Sequence, residues 1–290
     1  MRKKRDWFMI GLLSPAMIML TFTIVIPVIV VVMLSMFKYS LLNINTIKWN
    51  NFANYTSVLK NSLFFDSFLR TLIYVGSTVL LQFAIGLSMA LLLNSKALNR
   101  SRSAYRTALF LPWTVPSMVA AVVWMFMYQP QFGVVNHMFG LKDFNLLGST
   151  QTAMLSVIIT AVWKQTPLMM IMLLSALQTV PADLYEAASI DGAGSFMRFK
   201  AITIPAIMPV IKTVTLSSII TNFQMFVLFF TMTGGGPVRA TTTLTIYTYE
   251  TAFTGYNLGK GSAIGVYWLA FLLIFSILYN KLLSTKEIEY

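Results

Sequence analysis

Charge-free apolar runs long enough to cross a bilayer recur along the chain. Trp7 to Phe37 holds no charged residue over 31 positions, and Thr71–Ser95, Thr107–Leu141 and Gly261–Asn280 are likewise uncharged. Two further runs are each interrupted by one lysine: Phe144–Ala182 by Lys164, and Ala201–Val238 by Lys212. An α-helix needs about 20 apolar residues to cross the hydrocarbon core. The pattern therefore predicts six spans, at 8–37, 70–95, 106–129, 150–177, 201–232 and 261–283. Apolar residues occupy nearly all helix faces and do not alternate, which argues against a β-barrel. The expected fold is all-α and integral to the membrane, a single transmembrane domain over 1–290.

Composition sharpens this. Of 290 residues, 57% are hydrophobic and 10% charged, and the mean hydropathy is +0.73. About a quarter of a soluble domain is charged, so an ordinary soluble enzyme and a disordered tail are both excluded. There is no cysteine, which removes disulfides, thiolate metal sites and cysteine nucleophiles, and His137 is the one histidine. The net charge of +12 follows from basic loops rather than from nucleic-acid binding, since no basic stripe with interleaved aromatics is present.

Those loops also set the expected orientation. Arg2, Lys3, Lys4, Arg5, Lys96, Arg100, Arg102, Arg106, Arg198, Lys200, Lys281 and Lys286 fall on one side of the six spans. Lys38, Lys48, Lys60, Arg70, Lys142, Arg239 and Lys260 fall on the other, spread over longer loops. The first side is expected to be cytoplasmic, with both termini there. The first apolar run is about twice a signal-peptide core in length, so it is expected to remain as a helix.

Loop 178–200 is more than a connector. Pro181 suits a helix start, and Asp183 complements the N-terminal dipole. Leu184, Ala187 and Ala188 share a face at helical spacing. Asp191-Gly192 ends that helix, and Ser195 is placed to cap a second one carrying Phe196 and Phe199. The physics leaves two uses open: a small-residue face for a partner, or an amphipathic helix lying on lipid.

Glu186-Ala187-Ala188, Asp191-Gly192-Ala193, Ile204-Pro205 and Pro209 resemble the EAA loop of permease subunits in type I bacterial ABC importers. Met232-Thr233-Gly234-Gly235-Gly236-Pro237 with Thr241-Thr242-Thr243, Ser14-Pro15 and Phe110-Leu111-Pro112 resemble its sugar-importer branch, as in the maltose and glycerol-phosphate importers. The resemblance spans essentially the whole chain. It implies a cytoplasmic helix-turn-helix coupling loop in which Tyr185, Glu186, Ala187, Ala188, Asp191 and Gly192 engage an ATPase subunit. It implies a second homologous permease, two ATPase subunits that bind ATP and Mg, and an extracytoplasmic solute-binding protein, all at the bacterial cytoplasmic membrane. No cofactor or metal is expected in this chain: the Gly234-Gly235-Gly236 run lacks the Lys-Ser/Thr of a P-loop and reads as a flexible external turn closed by Pro237.

Matched to the maltose-importer permease, the fourth and fifth spans give Lys164, Gln165, Leu168, Thr221, Asn222, Met225 and Val227 as substrate-path residues. Leu168 stands where that family has an aromatic and Met225 where it has an amide, so the maltose contacts do not carry over intact. Lys164 suggests a negatively charged sugar, such as a uronate-containing oligosaccharide. The alternatives are that it snorkels to the interface or pairs with a partner's acid. Import of glycerol phosphate or another small solute is a second substrate expectation. An intramembrane enzyme or an ion-coupled carrier would want acids inside the spans, and the six spans hold none. Trp7, Trp49, Trp113, Trp124 and Tyr128 are expected as interface anchors or packing residues.

Overall fold

The computed structural model describes residues 2–43, 47–95, 102–141 and 144–282. Lys96, Arg100, Lys142, Lys286 and the side chains of residues 2–9, Trp7 included, lie outside the described residues.

The elements run α1 (Arg2–Leu20), a π-helical turn (Thr21–Val25), α2 (Ile26–Ser35), β1 (Phe37–Lys38), β2 (Lys48–Trp49), α3 (Ala53–Leu59) and α4 (Ser62–Asn94). Next come α5 (Arg102–Thr114), α6 (Ser117–Met127), α7 (Val134–Met138), α8 (Ala153–Gln178), α9 (Ala182–Ile190) and α10 (Ser195–Arg198). A second π-turn (Phe199–Thr203) leads into α11 (Ile204–Phe223), followed by α12 (Val227–Met232) and α13 (Leu244–Tyr249). A third π-turn (Glu250–Thr254) precedes α14 (Leu258–Leu282). Among the described residues, five helical stretches are long and apolar enough to cross a membrane, and six when the bent pair α5–α6 counts as one span.

Three boundaries differ from the sequence expectation. The third span is not one straight helix: α5 and α6 meet at 95°. Pro116 disfavours helical geometry at Val115 and itself sits at ψ 140 as the N-cap of α6. The second span starts earlier, at Ser62, because the Asn61 side chain accepts the Leu63 N–H at 3.0 Å. The fifth starts at Ser195 and ends at Phe223. Gly194, in extended geometry, takes the N-cap position expected for Ser195. At the far end the chain tightens through a Met225 N–H to Asn222 carbonyl bond of 3.1 Å, and the Thr245 hydroxyl takes the freed Met225 carbonyl at 3.1 Å.

The chain divides into two compact units. One combines the residues before Ser67 with Tyr247–Leu273. In it β1 and β2 pair antiparallel, Phe37 opposite Trp49, with those two rings edge-on at 5.2 Å. Asn54 fastens the turn after α2, donating to the carbonyls of Ser35 at 2.8 Å and Phe37 at 2.9 Å. The start of α14 presses on the same spot, where a Cβ at Gly259 would lie 2.1 Å from the Phe37 carbonyl oxygen.

The other unit holds Ser67–Ile246 and the chain from Ile274. Its core joins Ala90 and Leu93 of α4, Met169, Met170, Leu173, Leu174 and Leu177 of α8, and Ile207 and Val214 of α11. Within it α8 packs against α5, α6, α11 and α12. In the most apolar stretch of α8, 67% of residues are buried, against 0% in the first helix. Among the described residues the most apolar stretch of the first helix is thus unburied, as expected of a surface facing lipid or another subunit.

Gly259→Ala is expected to lower stability by about 2 kcal/mol, because an inserted methyl overlaps a backbone oxygen that has no room to retreat. Thermal unfolding of the purified membrane protein measures this.

Candidate transport cavity and coupling loop

In loop 178–200, Pro181 N-caps α9 and Asp183 lies in its first turn. The helix is closed by backbone bonds from Asp191 N–H to Ala187 at 3.0 Å and from Ala193 N–H to Ala188 at 2.9 Å. Gly192, at φ 75, makes that closure. A Cβ there would meet nothing within 4 Å among the described residues, so the positive φ is what favours glycine. Leu184, Tyr185 and Ala188 are half-buried, whereas Glu186, Ala187, Asp191 and Gly192 are exposed. The expected Leu184–Ala187–Ala188 face is thus split. Tyr185 takes the inward place, its hydroxyl 2.9 Å from that of Thr203 in the π-turn leading into α11. Beside the outward face stand Ile190, 87% exposed, and Phe196, 77% exposed.

A cavity of about 160 Å³ opens among α4, α5, α6, α8 and α11. Lys164, Gln165, Leu168, Thr221 and Met225, all expected on the substrate path, line it. Lys164 is buried and donates to the Trp113 carbonyl at 3.4 Å. No acidic residue is among the lining residues described. The other expected path residues are placed elsewhere. Val227 opens α12 outside the lining. Asn222 is 1% exposed and sits behind the wall. Its Oδ1 accepts from Tyr74 Oη at 3.1 Å and Gln165 Nε2 at 3.3 Å. Its Nδ2 donates to the Ser218 carbonyl at 2.9 Å and Gln82 Oε1 at 3.3 Å. Asn222 is therefore a hub tying α4, α8 and α11 together.

Gln82, Trp113, Ser117, Ser217 and Ser218 also line the cavity and were not anticipated. A signal did exist: Thr71, Thr78 and Gln82, at helical spacing on α4, form a buried polar stripe with Ser67 and Tyr74. Trp113, expected as an anchor or packing residue, is a cavity residue. Tyr128 packs inward and donates to the Ser156 carbonyl at 3.1 Å, and Trp124 meets the Trp163 ring at 5.7 Å. The glycine-rich turn is fastened rather than flexible. Thr241 donates to the Gly236 carbonyl at 2.7 Å and Thr242 to that of Gly235 at 3.0 Å.

Residues 82–285 match the model of the binding-protein-dependent transport system inner membrane component family. The chain belongs to that family. This permease is 38% identical, over 79% of its length and 77% of the relative's, to the trehalose/maltose transport system permease protein MalF of Thermococcus litoralis. It is 33% identical, over 95% and 90% of the two chains, to the sulfoquinovosyl glycerol transport system permease protein SmoG of Agrobacterium fabrum. A bacterial ABC transporter involved in the import of the acidic polysaccharide alginate shares the permease fold, with a TM-score of 0.83, 23% identity, and coverage of 97% of this chain and 96% of that one.

In this permease, Asn222→Leu is expected to cost about 1–3 kcal/mol per buried group left unpaired, read as a lower melting temperature of the purified protein. Tyr185→Phe removes one hydroxyl contact and is expected to cost about 1 kcal/mol. If Tyr185 orients α9 only through that bond, Thr203→Val should produce the same change, and the double variant should add little.

Proposed function

We propose that the chain is one permease subunit of an ATP-driven sugar importer in the bacterial cytoplasmic membrane, moving an oligosaccharide that carries an acidic group. The observation that carries the acidic substrate is Lys164. A buried ammonium lines a cavity that has a carbonyl for it but no carboxylate in the described lining, so the charge is available to an anion entering the cavity. The sugar class is supported by the names of the relatives above.

Small-molecule sites commonly measure about 300–1,000 Å³. A cavity of about 160 Å³ in one chain supports a site completed by a second, homologous permease. An extracytoplasmic binding protein delivers the sugar. Its involvement is supported by the alginate transporter of the same fold, which has been seen in complex with an alginate pentasaccharide-bound periplasmic protein. On the cytoplasmic side, where both termini lie, the exposed residues Glu186, Ala187, Asp191 and Gly192 dock against an ATPase subunit, with Tyr185 and Ala188 bracing the helix from within. Two such subunits bind ATP and Mg. Their closure moves α9, and α11 rocks with it as a rigid body.

Lys164→Met, reconstituted with its partners, is expected to lower uptake of a uronate-containing oligosaccharide about tenfold or more and to spare a neutral one. Unchanged uptake of the acidic sugar would remove the anionic-substrate assignment. Uptake of glycerol phosphate instead would select a small-solute importer.

A further inference from the structure

Hydrogen bonding fixes the orientation of one carboxamide beside the cavity. The Ser218 main-chain carbonyl can only accept, so the Asn222 atom facing it at 2.9 Å is nitrogen. That nitrogen also faces the Gln82 side chain at 3.3 Å, so the Gln82 atom there is oxygen. The Ser218 hydroxyl donates to the same oxygen at 2.6 Å. Gln82 therefore has its acceptor doubly occupied. Its Nε2, buried on a side chain only 1% exposed, has no hydrogen-bond partner among the described residues. Buried donors without partners are rare because each forfeits its hydration. Gln82 nevertheless borders the cavity that Lys164 lines.

We infer that Gln82 reads the substrate: its carboxamide N–H donates to an acceptor oxygen of the transported sugar, and with Lys164 it selects a carboxylate-bearing sugar over a neutral one. This rests on the acidic-oligosaccharide assignment above. The chemistry is that of donor-only recognition. A carboxylate only accepts, and it satisfies an ammonium and an amide N–H together. A neutral sugar hydroxyl accepts more weakly and keeps a proton that these two groups cannot take. Ser218 and Asn222 act as positioning residues that hold the carboxamide with its nitrogen turned away from them.

The test is equilibrium binding of trigalacturonate and of maltotriose to the purified transporter, assembled with its permease and ATPase partners, for wild type, Gln82→Glu, Gln82→Met and Lys164→Met. The glutamate keeps an oxygen for Ser218 and Asn222 and replaces the free donor. Expected are a wild-type preference for trigalacturonate and a loss of about tenfold or more of that preference in both Gln82 variants, with maltotriose binding shifted far less. A preference lost in Lys164→Met but kept in Gln82→Glu would overturn the role of Gln82 and leave the acidic-sugar assignment standing. A wild-type protein with no preference would overturn both. If neither Gln82 variant assembled, Gln82 would be a packing residue and the inference would fall.

Discussion

A polar group inside a bilayer must find its partner within the protein. In this chain that constraint shapes one seam. Gln82 of α4, Gln165 of α8, and Ser218 and Asn222 of α11 hydrogen-bond one another around the buried Asn222 amide. The same three helices supply the apolar core through Ala90, Leu173 and Val214. Apolar packing sets how closely they approach: at Gly86 of α4 a Cβ would already lie 3.2 Å from Met169 Cγ. The polar seam sets their register, since an amide must meet an acceptor at a fixed height. Where the seam reaches the cavity, Gln82, Gln165 and Ser218 belong both to the hub and to the lining. A ligand that engages them therefore acts on the contacts that hold three helices in register.

Loop 178–200 touches this system through a side-chain contact. Ser195 to Phe223 is one helical stretch of 29 residues, about 44 Å at 1.5 Å per residue. Near its start, Thr203 meets Tyr185 of α9. Toward its end, Ser217, Ser218 and Thr221 line the cavity. α9 thus contacts a continuous helix that carries part of the cavity wall. The π-turn at Phe199–Thr203 places that contact where the backbone departs from regular α geometry, as π-bulges near functional sites often do.

Much of this was legible in the residues, for identifiable reasons. Uncharged runs of membrane-crossing length announced the spans, because their only competing fate is an impossibly large core. The Asp-Gly pair at 191–192 marked the turn after α9, because few residues other than glycine adopt a positive φ cheaply. The bend of the third span was written in Pro112 and Pro116, but composition alone reads through a proline. Lys164 stood out because a lone cation in an apolar helix needs a reason. The residue pattern puts Asn222 on the path, and the structure buries its amide among three helices; the pattern marks no role for Gln82, which borders the cavity. The identity of an amide does not say whether it faces a ligand or a neighbouring helix. Only the chain of donors and acceptors decides that. Likewise, nothing in the sequence distinguishes a tyrosine turned toward Thr203 from one turned toward solvent.

The polar side of α8 and α11 borders a cavity, and a water-filled path differs from a dry helix contact in what can reach it. The chain has no cysteine, so single cysteines introduced into it can be followed without background from this subunit. The decisive measurement is the rate at which a small charged thiol reagent modifies Ser217→Cys, Thr221→Cys and the buried control Leu173→Cys in the assembled transporter, with and without ATP. In a transporter with such a path the first two react, at rates that change with nucleotide, while the third stays inert. Cysteines at 217 and 221 as unreactive as the one at 173 in every nucleotide state would contradict it.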